Sequence, residues 1–99
     1  MKIIITLILL VSSLLADKGY VLKTEVCGDS DNIIIETTDG WYIAVELYTY
    51  SYLDEGDVVF GNMKQYGYTD IIDRNGNEIR VYIEDWETNL SDAYEELCD

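Results

Sequence analysis

The sequence predicts a mainly β protein: a small barrel or rolled antiparallel sheet of five to six strands, closed off by one short C-terminal helix. Three observations carry that expectation. Short runs rich in Ile, Val, Tyr and Trp alternate with Gly/Asp/Asn turns from Tyr20 to Glu84. No proline interrupts any of them. The apolar spacing switches to a helical one only after Asn89. At 99 residues the chain has room for a single domain.

In chain order, the first strand is expected over Tyr20–Cys27, followed by a turn at Gly28-Asp29-Ser30-Asp31. Asn32–Thr37 carries the apolar triplet Ile33-Ile34-Ile35 and forms the second strand. Thr38-Asp39-Gly40 supplies a hairpin turn, with Gly40 free to take positive φ. Trp41–Tyr50 is expected as the longest strand. Trp41, Ile43, Val45 and Leu47 share one face of it; Tyr42, Ala44, Glu46, Tyr48 and Tyr50 share the other. An acidic turn over Leu53–Asp57 leads into a fourth strand, Val58-Val59-Phe60, that ends at Gly61 and Asn62. Tyr68–Asp73 and Glu78–Glu84 form a hairpin around Asn75-Gly76, a strong hairpin dipeptide. Ile79, Val81 and Ile83 face one way, and Arg80, Tyr82 and Glu84 the other.

Leu90, Ala93, Tyr94, Leu97 and Cys98 fall on one stripe of a helix. Asn89 or Ser91 can cap it, and Asp92 and Glu95 suit its early turns. So short a helix holds only by docking. The run Glu55-Gly56-Asp57-Val58-Val59-Phe60-Gly61 resembles the turn-to-strand junction of SH3-like and OB-like barrels. The resemblance implies an SH3-like or OB-like roll, with SH3-like preferred because Tyr50–Asp57 leaves no room for an OB helix.

The N-terminal segment has a different character. Met1-Lys2 precedes an apolar run from Ile3 to Val11 broken only by Thr6, then Ser12, Ser13, Leu14, Leu15 and Ala16. A basic start, an apolar middle and small residues before a cut are the order of a secretory signal. Residues 1–16 are read as that signal, with cleavage after Ala16, or alternatively after Ser13, and residues 17–99 as one small acidic domain. The fourteen residues from Ile3 to Ala16 fall short of the roughly 20 that a spanning helix wants. Export to the periplasm or beyond the cell follows, with no stable membrane anchor after cleavage.

The chain carries 6 basic and 20 acidic side chains, a net charge of -14. Lys2 leaves with the signal, so the mature charge is about −15. That density repels nucleic acid and anionic membranes, and favours solubility and cationic partners. Cys27 and Cys98 are the two cysteines. An even count in an exported chain points to a disulfide between them. It would close most of the mature domain into a loop, an effect of roughly 4 kcal/mol. An intermolecular bond and two free thiols are the alternatives. Cys98 lies on the apolar stripe of the helix, where docking can bring it to Cys27.

There is no histidine, so Ser-His and Cys-His nucleophile pairs are excluded, and zinc loses its usual ligands. No enzyme activity, cofactor or metal is expected. Asp73-Arg74-Asn75-Gly76-Asn77-Glu78 superficially looks like a calcium loop, but its spacing departs from the EF-hand pattern and suits a hairpin better. The candidate binding residues are Tyr48, Tyr50 and Tyr52 as aromatic anchors, with Tyr66 and Tyr68 able to extend the patch. Asp54, Glu55 and Asp57 form their acidic rim. The leading expectation is an exported acidic binding protein that engages a basic protein partner, similar in class to inhibitor and immunity proteins. A glycan or small-ligand binder using the Tyr patch, and a structural subunit of an envelope assembly, are the alternatives.

Overall fold

The computed structural model describes residues 17–49 and 53–98. The expected signal, Tyr50 and Tyr52 lie outside the described residues. Six strands form a closed antiparallel barrel: β1 Asp17–Lys23, β2 Asn32–Thr37, β3 Tyr42–Leu47, β4 Val58–Gly61, β5 Gly67–Asp73 and β6 Glu78–Glu87. The helix, α1, spans Leu90–Cys98. Around the cylinder the order is β1-β2-β3-β6-β5-β4. Two three-stranded meanders therefore meet edge to edge, at β3–β6 and at β1–β4. The second seam closes the barrel through Asp17↔Gly61, Lys18↔Phe60, Gly19↔Val59 and Tyr20↔Val58. Closure removes the exposed edges that an open sheet would present.

The inward positions are apolar and fill the barrel. Val21, Ile33, Ile35, Ile43, Val45 and Val59 from β1 to β4, with Ile71, Ile79, Val81, Ile83 and Met63, form one buried cluster. Branched residues of this size occupy the axis of a small barrel completely, so its interior is a core and not a ligand cavity. A second cluster lies outside the cylinder. Ile34 and Ala44 point outward from β2 and β3, and Ala93 of α1 and Val26 cover them, with Leu22, Tyr42, Leu90, Tyr94 and Leu97 around the edge. This explains the uninterrupted Ile33-Ile34-Ile35 run: both faces of β2 are buried. The helix docks by its expected stripe. Asn89 is its cap, accepting the Asp92 N–H at 2.9 Å on Oδ1.

Cys27 and Cys98 are joined, with Cα atoms 5.6 Å apart. The bond ties the end of α1 to a short 3₁₀ turn, Val26–Gly28. That turn corrects the expected first strand. β1 ends at Lys23 because Glu25 (φ 51) and Cys27 (φ 57) take left-handed backbone, as does Gly28 (φ 75), which a strand cannot accommodate. At its other end β1 begins three residues early, at Asp17, because it must pair with β4. The expected longest strand is also shorter than its alternation suggests. β3 stops at Leu47, and the N–H groups of Tyr48 and Thr49 both donate to the Arg80 carbonyl, at 2.9 and 3.2 Å. The longest strand is β6, 10 residues, which runs on past Glu84 through a bulge. Its register against β3 shifts between Ala44 and Val45, so that Ile83 and Trp86 both face the core while Glu84 and Asp85 share the outside.

Candidate functional site

The barrel has two unlike outer faces. Helix α1 packs over β3 and the second half of β6, and touches β2, on one side. On the other, the outward side chains of β4, β5 and the first half of β6 are exposed or half-buried. The large apolar side chains that are exposed among the described residues gather there: Tyr48 (53 %), Phe60 (37 %), Tyr66 (67 %), Tyr68 (54 %) and Ile72 (41 %). Strand pairing makes them a continuous strip. Phe60 sits opposite Ile72, Asp70 opposite Arg80 and Tyr68 opposite Tyr82, and Tyr82 opposite Glu46. Tyr48, just past β3, completes the strip.

Three tyrosines form its centre. Tyr48 and Tyr68 meet edge to face with ring centroids 4.8 Å apart, as do Tyr68 and Tyr82 at 4.9 Å; Tyr48 and Tyr82 lie 6.5 Å apart. Contacts of this geometry stabilise by about 0.5–1.5 kcal/mol beyond burial, and they hold the rings as a platform. The hydrogen bond between the Tyr48 and Tyr68 hydroxyls pushes the Tyr48 phenol up to about 12. The Tyr48 ring stays neutral across the physiological range. Beside them Arg80 donates from Nε to Asp70 Oδ1 at 3.1 Å, which neutralises those two charges.

Next to the platform the β6 bulge builds an acidic ridge. Glu84 is raised above its ordinary value, by burial first and then by Glu46. Carboxylate oxygens of Asp85, Glu87 and Glu96 lie within 4.8 Å of one another. These are the described side chains closest to a cation-binding arrangement. A hydrogen bond between Glu87 and Asp85 pushes the Glu87 carboxyl up to about 7, so protonation of Glu87 relieves much of the repulsion in the cluster. Tyr66 leans over the ridge, its ring 6.3 Å from Trp86. The charge on Asp85 raises its phenol.

The sequence-derived site residues divide between this face and the end of the barrel. Tyr48 is on the face, with Tyr66 and Tyr68 extending the patch. Asp54, Glu55 and Asp57 are exposed in the turn before β4. The Asp54 N–H donates to Asp57 Oδ2 at 2.8 Å, so the Asp57 carboxylate shapes its own turn. Asp54 lines a groove of about 510 Å³ that runs from Tyr48 to the β1–β2 connection. Residues that sequence reasoning left out of the site are Tyr82, Glu46, Glu84, Asp85, Glu87 and Glu96. Alternation in β6 already turned Tyr82 and Glu84 outward. What was missing was the β3–β6 pairing that sets them beside Tyr48 and Glu46.

Two other polar clusters are structural. Asp73 Oδ1 accepts the N–H groups of Asn75 at 2.8 Å and Asn77 at 2.9 Å, and Oδ2 accepts Asn77 Nδ2 at 3.0 Å. The calcium-like segment is thus a hairpin whose acid is spent on the turn, and these bonds hold the Asp73 carboxyl below its usual range. At the opposite end of the barrel, Lys64 bridges Asp39 and Asp17 over the Trp41 ring, and Asp17 Oδ2 accepts the Met63 N–H at 3.0 Å.

Fold and face together define a small six-stranded antiparallel barrel with a filled core, a disulfide-tied helix on one side and an uncovered aromatic surface on the other. The chain matches no protein-family model, no curated protein and no solved structure.

Proposed function

We propose that this is an exported binding protein whose aromatic face, on β4, β5 and the first half of β6, engages a basic protein partner, in the manner of an inhibitor or immunity protein. The observation that carries the reading is the Tyr48–Tyr68–Tyr82 platform, with Tyr48 and Tyr68 exposed and Tyr82 half-buried against both, beside the acidic ridge of Glu46, Glu84, Asp85, Glu87 and Glu96. Exposed apolar strips rimmed by polar groups mark interaction surfaces. Tyrosines held in place by one another lose little entropy on binding, which suits them to be anchors. A net charge of -14 attracts a basic partner, speeds encounter and makes association salt-sensitive. Tyr50 and Tyr52 remain proposed anchors, and Asp54, Glu55 and Asp57 a proposed rim.

A filled barrel core favours recognition at the surface over an enclosed small-ligand site. Closure at β1–β4 leaves little free edge for a mechanism in which a strand is added to a larger sheet. The test is capture by the exported, oxidised protein from envelope and culture-fluid proteins at about 0.15 M and about 1 M salt, where the screening length falls from roughly 8 to 3 Å. One basic protein retained at the lower salt, released at the higher and lost with Tyr82→Ala supports the reading. Retention of glycan instead of protein, unchanged by salt, would overturn it.

A further inference from the structure

On the reading that this protein binds a basic partner, we infer that the groove at the β1–β2 end of the barrel is the pocket for an arginine side chain of that partner. The groove has a volume of about 510 Å³ and begins at the Tyr48 ring, where the platform ends. Leu47 and Leu53 form its apolar sides over the buried Ile33. Glu25, Asp31 and Asp54 stand on its rim. Among the described residues none of these three carboxylates takes part in an ion pair.

The rim is carried on a fixed backbone. The Asp31 N–H donates to Asp29 Oδ1 at 2.9 Å, and its carbonyl accepts the Leu47 N–H at 2.8 Å. Asp54 is held by its two bonds with Asp57. An arginine matches every part of this lining. Its aliphatic stem lies along Leu47 and Leu53, its planar face stacks on Tyr48, and its five donors reach acceptors on several sides. A lysine has the stem and the charge but no planar face and fewer donors. The neighbouring groove between Leu53, Asp57 and Asn75 is a poor alternative, because Arg74 lines it and the Asp73 carboxylate is spent on its own turn.

The probe is a capped Gly-Arg-Gly peptide, with its lysine and citrulline counterparts, followed by amide chemical shifts of the oxidised protein at constant ionic strength. The arginine peptide is expected to shift resonances of Thr24–Asp31, Leu47–Thr49 and Leu53–Asp54, to bind several-fold more tightly than the lysine peptide, and to outbind citrulline by tenfold or more. Asp31→Asn with Asp54→Asn is expected to weaken it at least tenfold while the amide dispersion of the folded barrel persists. Tyr48→Phe, which keeps the ring, should retain binding. Equal affinity for arginine and lysine, or shifts centred on Glu84–Glu96 and indifferent to the double variant, would overturn the assignment. Against a captured partner the two claims separate. If Tyr82→Ala releases the partner and the Asp31/Asp54 variant does not, the groove is wrong and the face stands; if neither releases it, both fail.

Discussion

Glu87 shows how one side chain links this fold to pH. Its carboxyl titrates near about 7 in the folded state, because Asp85 hydrogen-bonds and repels it, against about 4.3 in an unfolded chain. Between those values the folded state holds more protons than the unfolded one. Stability from this group therefore falls as pH rises through that window, and the loss is complete above it. Asp73 has the opposite sign. Its carboxyl is lowered by bonds within the hairpin, so its contribution is present above the unfolded value and disappears as pH falls through the folded one. Melting curves from pH 4 to 8 should show Glu87→Gln more stable than the parent near pH 7, with a flatter profile between about 4.5 and 7. Parallel profiles for the two proteins would show that the Asp85–Glu87 pair does not couple to folding. Glu25 bears on stability through its backbone, at φ 51. Non-glycine residues in that region cost about 1–3 kcal/mol. Glu25→Gly is expected to leave stability unchanged or raise it, as measured by urea unfolding.

Between elements, the tightest constraint is the β1–β2 contact at Gly19. A Cβ there would lie 2.8 Å from Ile35 Cγ2 and 2.9 Å from the Glu36 carbonyl oxygen. The carbonyl belongs to the ladder and cannot move away, so Gly19→Ala is expected to destabilise by about 1–3 kcal/mol. The disulfide acts at the same scale. It is the covalent tie that holds α1 to the barrel, and replacing both cysteines by serine should cost about 2–5 kcal/mol. Loss of amide-exchange protection in Leu90–Cys98 before the β-strands would check that the tie acts on the helix. Elements with a strong local signature were legible in the sequence. β2 falls at Asn32–Thr37 as expected, since turns bound a run buried on both sides. The inward set Ile79, Val81 and Ile83 and the apolar stripe of α1 follow directly from periodicity. The ends of β1 and β3 and the β6 bulge were not legible. They are set by pairing with distant strands and by left-handed backbone at Glu25 and Cys27, and local alternation carries neither.

For the whole molecule, two features follow from assembly. The strand order, with β1 against β4 and β3 against β6, decides which outward residues become neighbours. Tyr48 was legible as an outward aromatic, and Tyr82 as another, but only the closed barrel sets them on one platform. The acidic ridge arises in the same way, because the bulge turns both Glu84 and Asp85 outward and α1 brings Glu96 to them. The charge of -14 acts on the molecule as a unit. Self-repulsion opposes the compact state, so adding salt up to about 0.5 M should raise the melting temperature, and a flat response would mean that self-repulsion does not limit stability. The central claim is that the aromatic face with its acidic ridge, and not the rest of the α1 surface, binds the partner. The most direct measurement is titration calorimetry of the captured partner against Tyr68→Ala, Tyr82→Ala and, on the helix side, Glu95→Ala. A loss of at least about 2 kcal/mol, near thirtyfold, for either tyrosine with Glu95→Ala within twofold of the parent is the result this account predicts. Parent-like affinity of both tyrosine variants, with the loss falling on Glu95→Ala, would contradict it.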